Sequence, residues 1–260
     1  MQVDVNGTKI FAATGGRPFD PSLPCVVFLH GAGMDHTVWA LLARSFAHHG
    51  QAVLAPDLPG HGRSSGAPLS SITAFADWTA ALIKAAGAQK VRLVGHSMGS
   101  LIALETAARY PGIVSGLALI ATAAPMRVSD DLLNAAKAND HAAIDMISLW
   151  GEGYCATLGG SQIPGVWMLG GSERLLERSA PGVIFADLAA CNAYQDALTA
   201  AGKVTAPAVV IAGSRDMMTP LKGGKAVAAA IPNCRFTTLD GAGHMLMSER
   251  PDEVLAALRA

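Results

Sequence analysis

The sequence predicts an α/β domain: a mostly parallel central sheet flanked by helices, with a helical cap inserted into it. Three observations carry this expectation. Short buried-strand runs, such as the continuously apolar Cys25–Leu29 and the mainly apolar Val114–Ala121, alternate with helical periodicity, and strands of that kind belong to parallel sheets covered on both faces. One run, Val91–Val94, breaks at Gly95-His96-Ser97-Met98-Gly99 and resumes at once in helix-forming residues. The alternation then stops near Pro125 and returns near Ala200. On this reading residues 1–124 and 201–260 form the core, and 125–200 form the cap.

In chain order, Gln2–Val5 and Lys9–Thr14 flank Asn6-Gly7, a hairpin turn signal. Gly15–Pro24 is a Gly/Pro-rich loop. After the Cys25–Leu29 strand come His30-Gly31-Ala32-Gly33 and a helix over Asp35–Ala47, with Trp39, Leu42 and Phe46 at helical spacing. Ala52–Ala55 is the next strand, and it runs into Pro56–Ser64, too rich in Pro and Gly for regular structure. A helix over Ile72–Ala86 leads to the Val91 strand. The helix beginning at Ser97 lasts to about Tyr110, before Pro111-Gly112. In the insertion, Leu132, Leu133 and Ala136 keep helical spacing, as do Ile144 and Ile147. Gly151–Gly171 holds seven glycines and reads as a flexible connection bearing Trp167 and Met168. Strand and helix then resume at Ala208–Ala212, Leu221–Ala230, Arg235–Leu239 and Asp252–Arg259.

Composition excludes several classes. Net charge is −1, without a basic stripe or an acidic tail, which argues against a nucleic-acid partner. The opening MQVDVNGTKIFAAT lacks the basic and apolar stretches of a signal peptide, and Ser and Thr interrupt the most hydrophobic run, so no membrane span is expected. Cys25, Cys155, Cys191 and Cys234 are scattered without C-x-x-C pairing and read as free thiols in a reducing cytoplasm. No His, Asp or Glu cluster has metal-ligand spacing, so neither a metal nor an organic cofactor is expected. The sequence leaves both a monomer and a homodimer open.

The chemistry is expected at Ser97. A glycine-flanked serine at an abrupt strand-to-helix turn is held in a strained conformation that lifts its hydroxyl above the sheet. Such a hydroxyl needs a base, and the base needs a group that orients it. Reactive groups in an open parallel sheet gather at the carboxyl ends of the strands. Those ends supply Asp216, after Ala208–Ala212, and His244, after Arg235–Leu239. Asp240 shares a loop with His244 and is expected to serve the turn; no carboxylate follows Val114–Ala121. His30, His61 and His96 are expected to hydrogen-bond the loops around the site. Two N–H donors should face the oxyanion of an acyl intermediate: Met98, which opens the helix, and Ala32, between Gly31 and Gly33. Ile144, Ile147, Trp150, Trp167 and Met168 of the insertion, with Met245 and Leu246, are the expected apolar pocket.

With these motifs in place, the chain resembles α/β-hydrolase fold proteins of the compact serine esterase, lactonase and perhydrolase type with a helical cap. The resemblance rests on His30-Gly31-Ala32-Gly33, Asp57-Leu58-Pro59-Gly60-His61-Gly62-Arg63-Ser64, Gly95-His96-Ser97-Met98-Gly99, Gly213-Ser214-Arg215-Asp216 and Gly241-Ala242-Gly243-His244. It implies a triad of Ser97, Asp216 and His244 and an oxyanion hole at Ala32 and Met98. Ser97 argues against the haloalkane dehalogenases of this fold, which carry aspartate there. Ser100 stands where many relatives have another glycine. The expected activity is cofactor-free hydrolysis of a small-molecule ester through an acyl-enzyme. Lactone hydrolysis, perhydrolysis and C–C bond hydrolysis would use the same residues, and a weakly catalytic ligand-binding protein is the reading from another class.

Overall fold

The computed structural model of the protein describes residues 1–157, 159–161 and 165–260. Its sheet has eight strands: β1 (Gln2–Val5), β2 (Thr8–Ala13), β3 (Cys25–Leu29), β4 (Ala52–Pro56), β5 (Val91–His96), β6 (Val114–Ile120), β7 (Ala208–Gly213) and β8 (Arg235–Leu239). The order across the sheet is β1-β2-β4-β3-β5-β6-β7-β8. Across Asn6-Gly7 the hairpin pairs Val5 with Thr8, and β2 joins β4 antiparallel. From β4 to β8 every pairing is parallel.

The core helices are α1 (Ala40–His48), α2 (Ile72–Ala85) and α3 (Met98–Arg109). Between β6 and β7 follow α4 (Asp130–Lys137), α5 (Ala142–Gly151), α6 (Tyr154–Thr157), α7 (Met168–Leu176), α8 (Val183–Ala193) and α9 (Ala197–Ala201). The chain closes with α10 (Leu221–Ala230), α11 (Leu246–Glu249) and α12 (Pro251–Arg259). Expected and observed bounds differ by a residue or so, except at Asp35–Ala47. There the chain first makes one 3-10 turn, His36–Trp39, capped by the Asp35 carboxylate. The Asp57 carboxylate accepts the His36 N–H, which draws this turn onto the loop after β4.

Strands β3, β4 and β7 are apolar and buried on both faces because helices cover both, whereas the edge strand β8 is partly exposed. Successive residues of β3 alternate between two packed clusters: Cys25, Val27 and Leu29 face one side, Val26 and Phe28 the other. Leu101 and Leu104 of α3 and Leu82 of α2 complete the first cluster; Leu42 and Phe46 of α1 and Leu258 of α12 complete the second. Each such side chain contributes about 1.5–3 kcal/mol on burial. A third cluster joins the insertion to the core, with Leu132, Ile147, Leu175 and Leu188 packed against Met34 and Met245. From Ala190 to Val204 the buried apolar residues belong instead to the first cluster, beside α3.

The structure corrects one expectation within the insertion. Gly151–Gly171 is not a bare connection: Gly151 ends α5, α6 lies inside the segment, and Gly170 and Gly171 sit within α7. The helix is held by buried Met168, Leu175 and Leu176 on its inner side. Among the described residues, no helix is long and apolar enough to cross a membrane. Cys25, Cys191 and Cys234 are free thiols; the side chain of Cys155 lies outside the description.

Candidate active site

Ser97 follows the last residue of β5 with φ 53 and ψ −119, a left-handed backbone that a non-glycine residue adopts only under constraint. The flanking glycines explain the constraint. A Cβ on Gly95 would stand 2.1 Å from the Gly99 carbonyl oxygen, and one on Gly99 the same distance from that of Leu29. Strand and helix therefore meet more closely than any side chain would permit. The Ser97 N–H donates to Ile120 O at 3.0 Å, and the Ser100 hydroxyl donates to Ser97 O at 2.6 Å, so Ser100 braces the turn.

His244 and Asp216 meet across neighbouring loops, with Nδ1 2.8 Å from Asp216 Oδ2. The N–H groups of Met218 and Thr219 donate to Asp216 Oδ1 at 2.8 and 2.7 Å, and the Thr219 hydroxyl donates to Oδ2. Burial works to raise the pKa of this carboxyl, but the His244 charge and these hydrogen bonds outweigh it and hold Asp216 below the ordinary aspartate value. Asp216 is thus an ionised acceptor that holds the imidazole proton on Nδ1 and leaves Nε2 free of that contact. Ser97 and His244 line one cavity, without a direct hydrogen bond between their side chains among the described residues; such bonds commonly tighten only with substrate. Asp240 is exposed and accepts from the Ser214 hydroxyl at 2.9 Å, away from the imidazole.

The N–H groups of Ala32 and Met98 have no acceptor among the described residues. Gly31 lies against the serine, since a Cβ there would come within 3.3 Å of Ser97 Cβ. His30 shapes this loop from beneath. Its Nε2 accepts the Leu58 N–H at 3.0 Å, so Nδ1 carries the proton and donates to Gly31 O at 2.9 Å. Burial lowers its pKa to about 4, with His61 adding to the effect. His96 is likewise buried and neutral, its pKa lowered to about 3, and its Nε2–H donates to the main-chain oxygen of His244. Both imidazoles act as fixed neutral struts.

The cavity has a volume of about 190 Å³. Ile147, Trp150 and Met245 line it as the sequence suggests, together with Leu132, Leu175 and Leu188. Ile144, Trp167 and Met168 do not, and here the pocket expectation is corrected. Ile144 lies one turn before Ile147 and shares a separate hollow with Ile184. Trp167 is 65% exposed and its ring folds over Gly170, while Met168 is buried within the insertion. Leu246 is buried in the second sheet cluster.

Three acidic side chains around the site escape sequence reasoning. Glu249 accepts from the Gly243 N–H at 3.0 Å and from the Gly153 N–H at 3.2 Å, tying the histidine loop to the insertion. Glu152 is buried, accepts from the Ser172 hydroxyl at 2.7 Å, and leaves Oε2 unpartnered. Asp187 is fully buried in α8. Asp187 alone carries a local signal, as the one charge in VIFADLAACNA. The Asp35, His36 and Asp57 side chains are the one metal-sized cluster among the described residues. Their ligand atoms are already engaged: Asp57 by His36 and Arg63, and Asp35 by Thr37 and Arg178.

A family model described as the alpha/beta hydrolase family matches residues 26–257. The chain belongs to the alpha/beta hydrolase family. Among its relatives is the pimeloyl-[acyl-carrier protein] methyl ester esterase of Chromobacterium violaceum, 32% identical over 245 residues, which span 90% of this chain and 92% of that one. The protein of the same name from Aromatoleum aromaticum is 29% identical, over 88% of this chain and 94% of that one. Of solved structures, a thermophilic esterase superposes with a TM-score of 0.80 at 28% identity, covering all of this chain and 95% of the other. The enol-lactonase from Burkholderia xenovorans gives 0.87 at 24% identity, over 100% and 98% of the two chains, a likeness of fold. In this chain the strained serine, the carboxylate-paired histidine and the Ala32 and Met98 N–H groups all follow the carboxyl ends of β3, β5, β7 and β8.

Proposed function

We propose that this protein hydrolyses carboxylic esters of small molecules through an acyl-enzyme on Ser97, with residues 125–200 serving as the cap and the cytoplasm as its place of action. The observation that carries this reading is the strained Ser97 beside a histidine whose Nδ1 is tied to a buried carboxylate. His244 Nε2 takes the hydroxyl proton as Ser97 Oγ attacks the ester carbonyl. The carbonyl oxygen becomes an oxyanion that accepts from the Ala32 and Met98 N–H groups. Collapse expels the alkoxide, which takes the proton from His244 and leaves as the alcohol. A water, activated by the same imidazole, then attacks the acyl-serine and releases the carboxylic acid. Asp216 holds the tautomer and stabilises the transient imidazolium. The methyl ester esterases among the relatives support ester cleavage. Lactones would be opened by the same steps, with the alcohol retained on the product; perhydrolysis would replace the water by hydrogen peroxide.

Turnover of p-nitrophenyl acetate and butyrate by wild type and Ser97→Ala tests the proposal. The substitution removes one oxygen that makes no hydrogen bond among the described residues, so the variant should fold normally and be inactive. Activity within tenfold of wild type would place the nucleophile elsewhere. A parallel panel of esters, lactones and β-diketones then separates the substrate classes, and absence of turnover on all of them would favour a ligand-binding role.

A further inference from the structure

The buried Asp187 has no part in the steps above, yet it reaches the oxyanion loop from the insertion. Its Oδ2 accepts the Gly33 N–H at 2.8 Å and, from the other side, stands 2.7 Å from His61 Nε2. His61 Nδ1 in turn lies 3.0 Å from the Pro59 carbonyl oxygen. The Pro59 carbonyl can only accept, so Nδ1 carries a proton; burial works to lower the His61 pKa, but the Asp187 charge and hydrogen bond outweigh it and raise it, which favours the imidazolium. Asp187 and His61 therefore form a buried ion pair, with neither side chain exposed. A buried pair of this kind is weak evidence for stability, since packed apolar residues serve a fold as well. Its geometry suggests a different use.

The peptide planes on either side of Ala32 are both held, the first of them twice, since Gly31 O also accepts the Met34 N–H at 3.2 Å. Gly31 O accepts from His30 Nδ1–H, which comes from the core, and Gly33 N–H donates to Asp187, which comes from α8. Gly33 itself has φ +67 and no room for a side chain, because a Cβ would lie 2.7 Å from Ile184 Cγ1 of the same helix. Helix α8 thus grips the loop by contact and by charge. We propose that Asp187 is a positioning residue: a carboxylate from the insertion, neutralised by His61, that fixes the Ala32–Gly33 peptide and so keeps the Ala32 N–H aimed above Ser97. This rests on the reading of Ala32 as an oxyanion donor. Without Asp187 the Ala32–Gly33 peptide, the middle unit of the turn that Met34 N–H closes onto Gly31 O, loses its buried acceptor, and the turn that presents the Ala32 N–H is held only at Gly31 O during the step in which negative charge develops.

The test compares Asp187→Ala and Asp187→Asn with wild type on p-nitrophenyl butyrate, with rates referred to serines titrated to completion by a fluorophosphonate. The asparagine oxygen still accepts the Gly33 N–H but carries no charge, so it is the conservative variant. Asp187→Ala should lose roughly ten- to a hundredfold in kcat with KM nearly unchanged, somewhat less than deleting a donor outright. Asp187→Asn should lose less, about three- to tenfold by the same reasoning. Affinity for an alkyl trifluoromethyl ketone, which binds as a tetrahedral adduct, should fall in parallel with kcat. If the alanine variant does not fold, the asparagine variant and the ketone decide. Wild-type kcat in whichever variant folds, or a loss confined to KM, overturns the proposal and leaves the pair a structural clasp. Ser97→Ala is run alongside. If it remains active, the serine hydrolase reading itself has failed; if it is dead while the Asp187 variants are normal, only the positioning role has.

Discussion

Asp216 and Asp240 follow neighbouring strands, and only their contacts separate them. Asp216 meets the His244 ring, whereas Asp240 meets the Ser214 hydroxyl in the open. Asp216→Asn should preserve shape yet present the wrong hydrogen-bonding face, with kcat down on the order of 10⁴-fold. Asp240→Asn should be mild. Assaying both variants together decides the assignment, and a crippled Asp240→Asn beside a near-normal Asp216→Asn would reverse it. Glu152 offers a second test at this scale. Burial pushes its carboxyl up to about 7, the Ser172 hydroxyl opposes this, and the Glu249 charge adds to it. In the unfolded chain it ionises at the ordinary glutamate value, so between that pH and about 7 the folded state keeps a proton that the unfolded state has released. This group therefore costs stability progressively as pH rises through that window, and nothing below it. Glu152→Gln should match wild type near pH 4 and gain roughly 3 kcal/mol over it at pH 8. Urea melts at both values read the difference directly; the same offset at both would show that the carboxyl does not titrate in that window.

The loops that carry the acid and the histidine are set by how closely β7 approaches the end of β8. A Cβ on Gly213 would lie 2.2 Å from the Gly243 carbonyl oxygen and 2.4 Å from that of Ala242, both in the backbone of the histidine loop. Gly213→Ala must therefore move that loop, and a misplacement of about 1 Å at a reacting group costs on the order of 10²-fold. Overpacking itself should cost about 1–3 kcal/mol. Gly112→Ala is the control, because a Cβ there meets nothing within 4 Å. The expected result is a folded Gly213→Ala with a lowered melting temperature and a much larger loss of kcat. Equal behaviour of the two variants would mean that the strand ends are more yielding than their spacing implies.

Across the whole molecule, the loops that follow the parallel strands carry Ser97, Asp216 and His244, and residues between β6 and β7 supply much of the cavity wall. Ile147, Leu132, Leu175 and Leu188 close an apolar cavity over Ser97, with Arg127 as an exposed basic side chain in its lining. Each buried methylene of an acyl chain is worth about 0.8 kcal/mol, close to fourfold in kcat/KM, until the space is filled. The series acetyl, butyryl, hexanoyl should therefore rise and then level off, with neutral chains ahead of short charged ones. Ile147→Ala should lower stability by about 2–4 kcal/mol and move the optimum toward longer chains. A preference for short charged acyl groups, or an unchanged optimum in the variant, would show that the insertion does not shape the pocket.

The sequence by itself determined the alternation of strands and helices, the run of helices after β6 and the strained turn at Ser97. These depend on local periodicity and on glycines at fixed offsets. It also brought Asp216 and His244 into view, because in a parallel sheet every strand delivers its following loop to one face, so chain order and strand ends suffice. Pocket membership lay beyond it: one helical periodicity accounts equally for Ile147 in the cavity and Ile144 outside it, since packing against α4 and α7 decides which side each faces. The 3-10 turn at His36 likewise depends on Asp57, a residue from another loop. The same holds for Glu249 between the histidine loop and the insertion, and for Asp187 between Gly33 and His61. His61 and Asp187 are 126 positions apart, and Gly33 is 154 from Asp187. No periodicity relates such positions; only the packing of α8 onto the loops at the end of the sheet removes the water between them and makes a charge pair of two side chains that in the sequence are simply far apart.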